Sequence, residues 1–259
     1  MANGGTLDLT TGLVLFLLAM VPPILYVVWI RNTERFQREP WKSVFWLFAW
    51  GMVFAILIAV ILESLFVGVG EALQREYVRL GDALRESPNL RIILLAVVIA
   101  PVMEEFAKGL GVYSVRRQIS EEEDGLVYGS AAGLGFAATE NLFYGLYAFA
   151  LGGFVTSLAV IAVRSFSSAL LHASASSVFG LGVARRQIFQ ARVLPYYIMA
   201  VAMHAAFNFL ASFDALFRDA YGEWASLFGF VAAILFALSA TALVRGTIRR
   251  RDQATGPIY

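Results

Sequence analysis

The chain has 259 residues, 59% of them hydrophobic and 15% charged, with a net charge of +1 and no cysteine. A soluble domain carries roughly 45–50% apolar and about 25% charged residues, so this composition excludes one. The missing cysteines exclude a disulfide framework or a thiol nucleophile; the net charge by itself says little, and no nucleic-acid partner is expected.

The apolar residues fall in long blocks, which predicts an all-α polytopic transmembrane helix bundle forming one integral membrane domain over 1–259. Seven blocks can be drawn, each near or above the roughly 20 residues that a span needs. They are Thr11–Ile30, Ser43–Val69, Ile92–Val115, Gly125–Ala150, Gly153–Ala184, Leu194–Phe217 and Trp224–Val244. Met1 to Ile30 contains no Lys or Arg, so the first block is expected to stay as a helix rather than act as a cleavable signal. Pro22 and Pro23 predict a kink within it. Glu63, near one end of the second block, reads as interfacial.

The third block carries the sequence's most expensive feature. Ala100-Pro101-Val102-Met103-Glu104-Glu105-Phe106-Ala107-Lys108 lies in the middle of a stretch long enough to cross a bilayer. A charge at the bilayer centre costs about 2.5–3.5 kcal/mol on the insertion scale, so these side chains are expected to face protein or water. Glu104 and Lys108 are four apart and Glu105 and Lys108 three apart, which lets Lys108 meet both carboxylates on one helix.

In the fourth block Gly125, Gly129, Gly133 and Ala137 recur every four residues, a stripe that lets another helix approach closely. Glu140 lies eleven residues beyond Gly129, about three turns, and so points into the same packed face; Asn141 follows it. The fifth block is over-long. Gly152-Gly153 is expected to open a short bent or re-entrant piece, making eight segments. Arg164, Ser168, His172 and Ser176 then follow at steps of four. The sixth block sets His204 and Asn208 one turn apart, with Asn208 expected to hydrogen-bond the imidazole. The chain's two histidines are both mid-span.

Thirteen Lys and Arg follow the odd-numbered blocks, and five flank the other side. The positive-inside rule then predicts an outside N-terminus and a cytoplasmic C-terminus in the plasma membrane.

Glu104, Glu105, Lys108, Glu140, Asn141, Arg164, His172, His204 and Asn208 thus come from four blocks at matching depth. A poorly hydrated carboxylate can act as general base on water, and imidazole and Asn donors can stabilise an oxyanion. Alternatively Glu140, His172 and His204 match the two-His, one-Glu set of a catalytic zinc site. Either route activates water against an amide, and the residues alone leave both open. No aspartate lies inside a span, which excludes an aspartyl dyad, and there is no H-E-x-x-H. A proton-coupled transporter or channel would use intramembrane Glu, His and Lys as relays. A catalytically silent member of the same fold would bind or shelter a partner.

The motifs together carry a resemblance. Glu104-Glu105-Phe-Ala-Lys108, Gly-Phe-Ala-Ala-Thr-Glu140-Asn141, a mid-span His172 and His204-Ala-Ala-Phe-Asn208 resemble the PrsW family of intramembrane proteases, related to the CAAX-prenyl endopeptidases. The resemblance is carried by a core of about 92–217. It implies a CAAX-protease-like core and an intramembrane endopeptidase acting on a membrane-anchored protein, such as an anti-sigma factor. Glu104, Glu105, Glu140, His172, His204 and Asn208 would be the catalytic set, with or without Zn2+. Lys108 stands three after the second Glu, where the CAAX enzymes have Arg four after it. Ser168 stands four before His172, where they have Phe. Both departures favour PrsW over a prenylated substrate.

Overall fold

The computed structural model describes residues 7–76 and 87–255; Arg79 and Arg85, counted above on the outer side, lie outside them. Every regular element among the described residues is helical. Helix α1 (Leu9–Arg31) starts at Asp8, whose carboxylate accepts the Thr11 amide at 2.7 Å, and continues through Pro22 and Pro23. Helix α2 (Trp41–Ala49) passes through a π-helical stretch (Trp50–Ala55) into α3 (Ile56–Glu76). Helix α4 (Pro88–Ile92) passes through a second π stretch (Ile93–Ile99) into α5 (Ala100–Ser114). After a 3-10 turn (Arg116–Gln118) come α6 (Glu122–Phe166), α7 (Ser168–Phe189) and α8 (Leu194–Ala211). The chain ends with the short α9 (Phe213–Tyr221) and α10 (Glu223–Thr255).

Among the described residues five continuous helical runs are long and apolar enough to cross a membrane: Leu9–Arg31, Trp41–Gly68, Glu122–Phe189, Leu194–Ala211 and Glu223–Ala254. The sequence predicts seven or eight spans, and the difference has two physical sources. Glu104, Glu105 and Lys108 interrupt the apolar run of α4–α5, which is not among the five. The run Glu122–Phe189 folds back on itself. At Gly153 the backbone takes φ 75° and ψ −167°, a conformation open in practice to glycine alone. The stretch 154–166 then returns along the preceding turns, with Ser157 Oγ donating to the Gly145 carbonyl at 2.7 Å.

Helix α6 is the centre of the bundle; every residue from Glu122 to Ala138 is buried. Its glycine stripe explains how. A Cβ on Gly129 would lie 2.1 Å from the Ser176 carbonyl oxygen, and one on Gly133 would lie 2.2 Å from that of His172. The α6 and α7 backbones therefore touch, and the His172 backbone is held against α6 about two turns before Glu140.

At one end of the bundle the segments rich in Lys and Arg converge. The Arg35 and Phe36 amides donate to Asp252 at 3.0 Å, Gln37 to Glu121 at 2.8 Å, and Arg185 pairs with Glu122 at 3.0 Å. This joins the α1–α2 connection, the start of α6, the end of α7 and the end of α10.

Candidate active site

The first turns of α5 place Glu104, Glu105 and Lys108 against α7 and α8. Glu105 and Lys108 are fully buried and Glu104 nearly so. Lys108 Nζ reaches Glu105 Oε1 at 2.8 Å and Glu104 Oε2 at 3.2 Å, the contacts that helical spacing requires. It also lies 2.8 Å from His172 Nδ1 and 4.0 Å above the Phe136 ring.

The partners assign the imidazole tautomers. An ammonium only donates, so His172 Nδ1 carries its lone pair toward Lys108. His172 Nε2–H then donates to Glu140 at 2.8 Å. His204 Nδ1–H donates to Glu105 Oε1 at 3.0 Å, which leaves the lone pair on Nε2. The two lone-pair nitrogens face Glu104 Oε2, His172 Nδ1 at 4.0 Å and His204 Nε2 at 3.9 Å. Each histidine thus turns one nitrogen to Glu104 and has its outer N–H fixed by a carboxylate, the arrangement typical of metal-ligating histidines.

Glu104, His172 and His204 offer ligand atoms that all lie within 4.8 Å of one another. This donor set fits zinc chemically: two neutral imidazoles and one carboxylate. It differs by one carboxylate from the set expected on sequence. Glu140 sits a step further out, on the far nitrogen of His172, where Arg164 pairs with it at 2.7 Å. Arg164 also donates to Asn141 at 3.0 Å and Ser168 at 3.0 Å and lies over the Tyr144 ring at 3.9 Å.

Glu105 has no free oxygen. Lys108 and His204 share Oε1, and Ser176 Oγ donates to Oε2 at 2.8 Å. Its bond to His204 fixes that ring. Glu104, Glu140 and His172 instead line a cavity of about 540 Å³ together with Arg164, Tyr144 and Asn208.

Asn208 departs from the sequence expectation. Its Nδ2 donates to the Ala96 carbonyl at 2.8 Å, not to His204. The reason is local. In the π stretch the Ala100 amide donates five residues back, to Leu95. The next amide in that pattern would serve Ala96, but residue 101 is proline and has none. Asn208 fills the missing bond and so ties α8 to the entrance of α5.

One cavity residue is missed by sequence reasoning. Glu63 lines the same cavity, and one of its oxygens is enclosed without a hydrogen-bond partner. The π stretch at Trp50–Ala55 rotates the face that α3 presents, which block boundaries cannot reveal. An unpaired Glu in an apolar block was the available signal.

Residues 39–245 match the family described as PrsW family intramembrane metalloprotease. A curated relative, Protease PrsW of Clostridioides difficile (strain 630), is 30% identical over 139 residues. That match spans 50% of this chain and 50% of the relative. No solved structure matches the chain.

Proposed function

Because this chain belongs to the PrsW family of intramembrane metalloproteases, we propose that it is an intramembrane endopeptidase that cuts membrane-anchored proteins at Glu104, His172 and His204. One observation carries the reading: one nitrogen of each imidazole lies within about 4 Å of the same carboxylate beside a cavity, and the outer N–H of each is held by another carboxylate. Glu104, His172 and His204 would be the residues to hold zinc, which when bound would supply Lewis acidity and an acidified water.

The chain's own groups do the rest. Glu105 and Glu140 orient the imidazoles. Lys108 offsets the buried carboxylates and points at the same two lone-pair groups a metal ion would use, so ammonium and metal compete there. Arg164 holds Glu140 and borders the cavity, where it can meet a substrate carbonyl. Phe143 and Tyr144, both exposed, form an apolar rim suited to a transmembrane substrate segment. A glutamate-only mechanism would use Glu104 as base on water without an ion. The hairpin at Gly153 and the charged α4–α5 crossing support seven crossings. The gathering of basic segments at one end supports a cytoplasmic C-terminus in the plasma membrane. The motif order supports kinship with the CAAX-processing enzymes.

The test is cleavage of a membrane-anchored protein substrate by the purified protein in proteoliposomes. Wild type is expected to cut and His204→Ala to lose at least about 100-fold in rate. Phenanthroline should stop the metal-dependent form and spare the glutamate-only form. His172→Ala and His204→Ala both cutting at the wild-type rate would overturn the proposal.

A further inference from the structure

A second group of buried carboxylates lies far from the cavity, where the α1–α2 connection meets the start of α6. Glu34, Glu39 and Asp124 are each at most 4% exposed, and one oxygen from each lies within 4.8 Å of the others. Three carboxylates at that separation in a water-poor site repel strongly unless positive charge is shared among them.

Basic side chains are nearby, and Arg31 attracts Glu34 and Glu39 at a distance, but their close contacts go elsewhere. Arg31 Nε donates to the Glu39 carbonyl at 2.6 Å and Arg38 Nε to the Glu34 carbonyl at 2.8 Å, so both address the backbone. Neither Arg31 nor Arg38 forms an ion pair with Glu34, Glu39 or Asp124. What holds the carboxylates is backbone: the Glu39 amide donates to Glu34 Oε2 at 3.2 Å, and the Ser120 and Glu121 amides to Asp124 Oδ2 at 2.7 and 2.9 Å.

Those bonds leave Glu34 Oε1 enclosed and without a hydrogen-bond partner. A second, independent group is in the same condition. Tyr128 is fully buried and follows Asp124 by one helical turn on the same face of α6; its hydroxyl lies beside Glu39 and Ser43, but neither meets it in hydrogen-bond geometry. Two unsatisfied buried oxygens at one spot are costly. Both are accounted for by a ligand that accepts lone pairs from oxygen and carries bound water.

We propose that Glu34, Glu39 and Asp124 form a binding site for a hard divalent cation of the calcium class, with the Tyr128 hydroxyl bonded to the ion's water. The all-oxygen, carboxylate-rich donor set selects a hard cation over zinc or copper. Three oxygens within 4.8 Å of one another all lie within about 2.8 Å of a common point, close to the roughly 2.3–2.6 Å usual for calcium. The ion would clamp the α1–α2 connection to the start of α6, the helix that carries Glu140. This site shares no residue with the Glu–His centre and does not depend on the proteolytic reading.

The experiment is a manganese titration of the full-length protein in detergent, stripped with chelator and exchanged, read by electron paramagnetic resonance. Wild type should bind one Mn2+ that calcium displaces and zinc does not. Glu34→Gln/Glu39→Gln should weaken that binding by roughly two orders of magnitude, since ligand charge sets affinity. Glu104→Gln should leave it in place. Carboxyls that share protons instead of a cation would show no calcium-displaceable manganese, and that result overturns the proposal; so does binding that the double variant leaves unchanged. Should the double variant not fold, manganese anomalous scattering from wild-type crystals decides. A peak among the three carboxylates supports the site, and its absence rejects it.

Discussion

Helix α6 carries two buried clusters of charge that solve the same problem in opposite ways. Asp124 and Glu140 are sixteen residues apart on it, about 24 Å along the axis. At the Glu140 end Glu104, Glu105 and Glu140 each have a charged or imidazole partner from another turn or helix: Lys108, Arg164, His172 or His204. At the Asp124 end the carboxylates have backbone amides and one another. The difference teaches what each cluster needs. The first is largely offset by its own side chains and can hold fixed geometry around a cavity. The second is complete only with something added, a proton or a cation.

If this contrast is right, removing the internal cation should damage the first cluster most. Lys108→Met leaves Glu104 and Glu105 buried without their ammonium, and losing one partner of a buried pair costs about 3–5 kcal/mol. Thermal unfolding in detergent should show a large drop, and Lys108→Met/Glu105→Gln should recover part of it. An unchanged midpoint for Lys108→Met would mean that the carboxylates are not held as described.

A smaller effect is expected from Asn208→Ala. It frees the Ala96 carbonyl, a loss of about 1–3 kcal/mol for an enclosed acceptor, and loosens the start of α5 without touching His204. Cleavage should fall a few-fold while the pH profile keeps its shape. A changed profile would show instead that Asn208 acts on His204, as its spacing alone suggests.

The smallest effect belongs to the second cluster without a cation. Burial pushes the Glu34 carboxyl up to about 8 and the Glu39 carboxyl up to about 9. Both then keep their protons in the folded state where the unfolded chain has lost them. Their contribution to stability is full below about pH 4.5 and is lost as pH rises toward 8–9. In chelator the unfolding midpoint should decline over that window, and Glu34→Gln/Glu39→Gln should flatten the decline. Equal slopes in both proteins would remove these two carboxyls from the account.

What the sequence reveals of this site follows how local each contact is. Lys108 meeting Glu104 and Glu105 needs only helical spacing, and the glycine stripe needs only a partner helix. Glu140 beside His172 follows from that stripe. The exchange of Glu104 for Glu140 beside the two lone pairs depends on how α5 enters between α7 and α8, which no spacing encodes. Asn208 and Glu63 both depend on π stretches, each shifting the faces that follow it. Glu34 and Glu39 join Asp124 across some 85 residues of chain, and their loop is conspicuous in sequence only for its arginines. The hairpin at Gly153 is hinted at by the Gly-Gly pair, but its return path depends on packing.

The most direct measurement compares Glu104→Gln with wild type for cleavage of a membrane-anchored substrate in proteoliposomes, each protein first shown to unfold at a similar temperature. Glu104 is the carboxylate that both imidazoles face and that the cavity reaches. Its amide variant should retain the fold and lose roughly 10²–10⁴-fold in rate. A folded Glu104→Gln protein that cuts as fast as wild type would contradict the assignment of this centre.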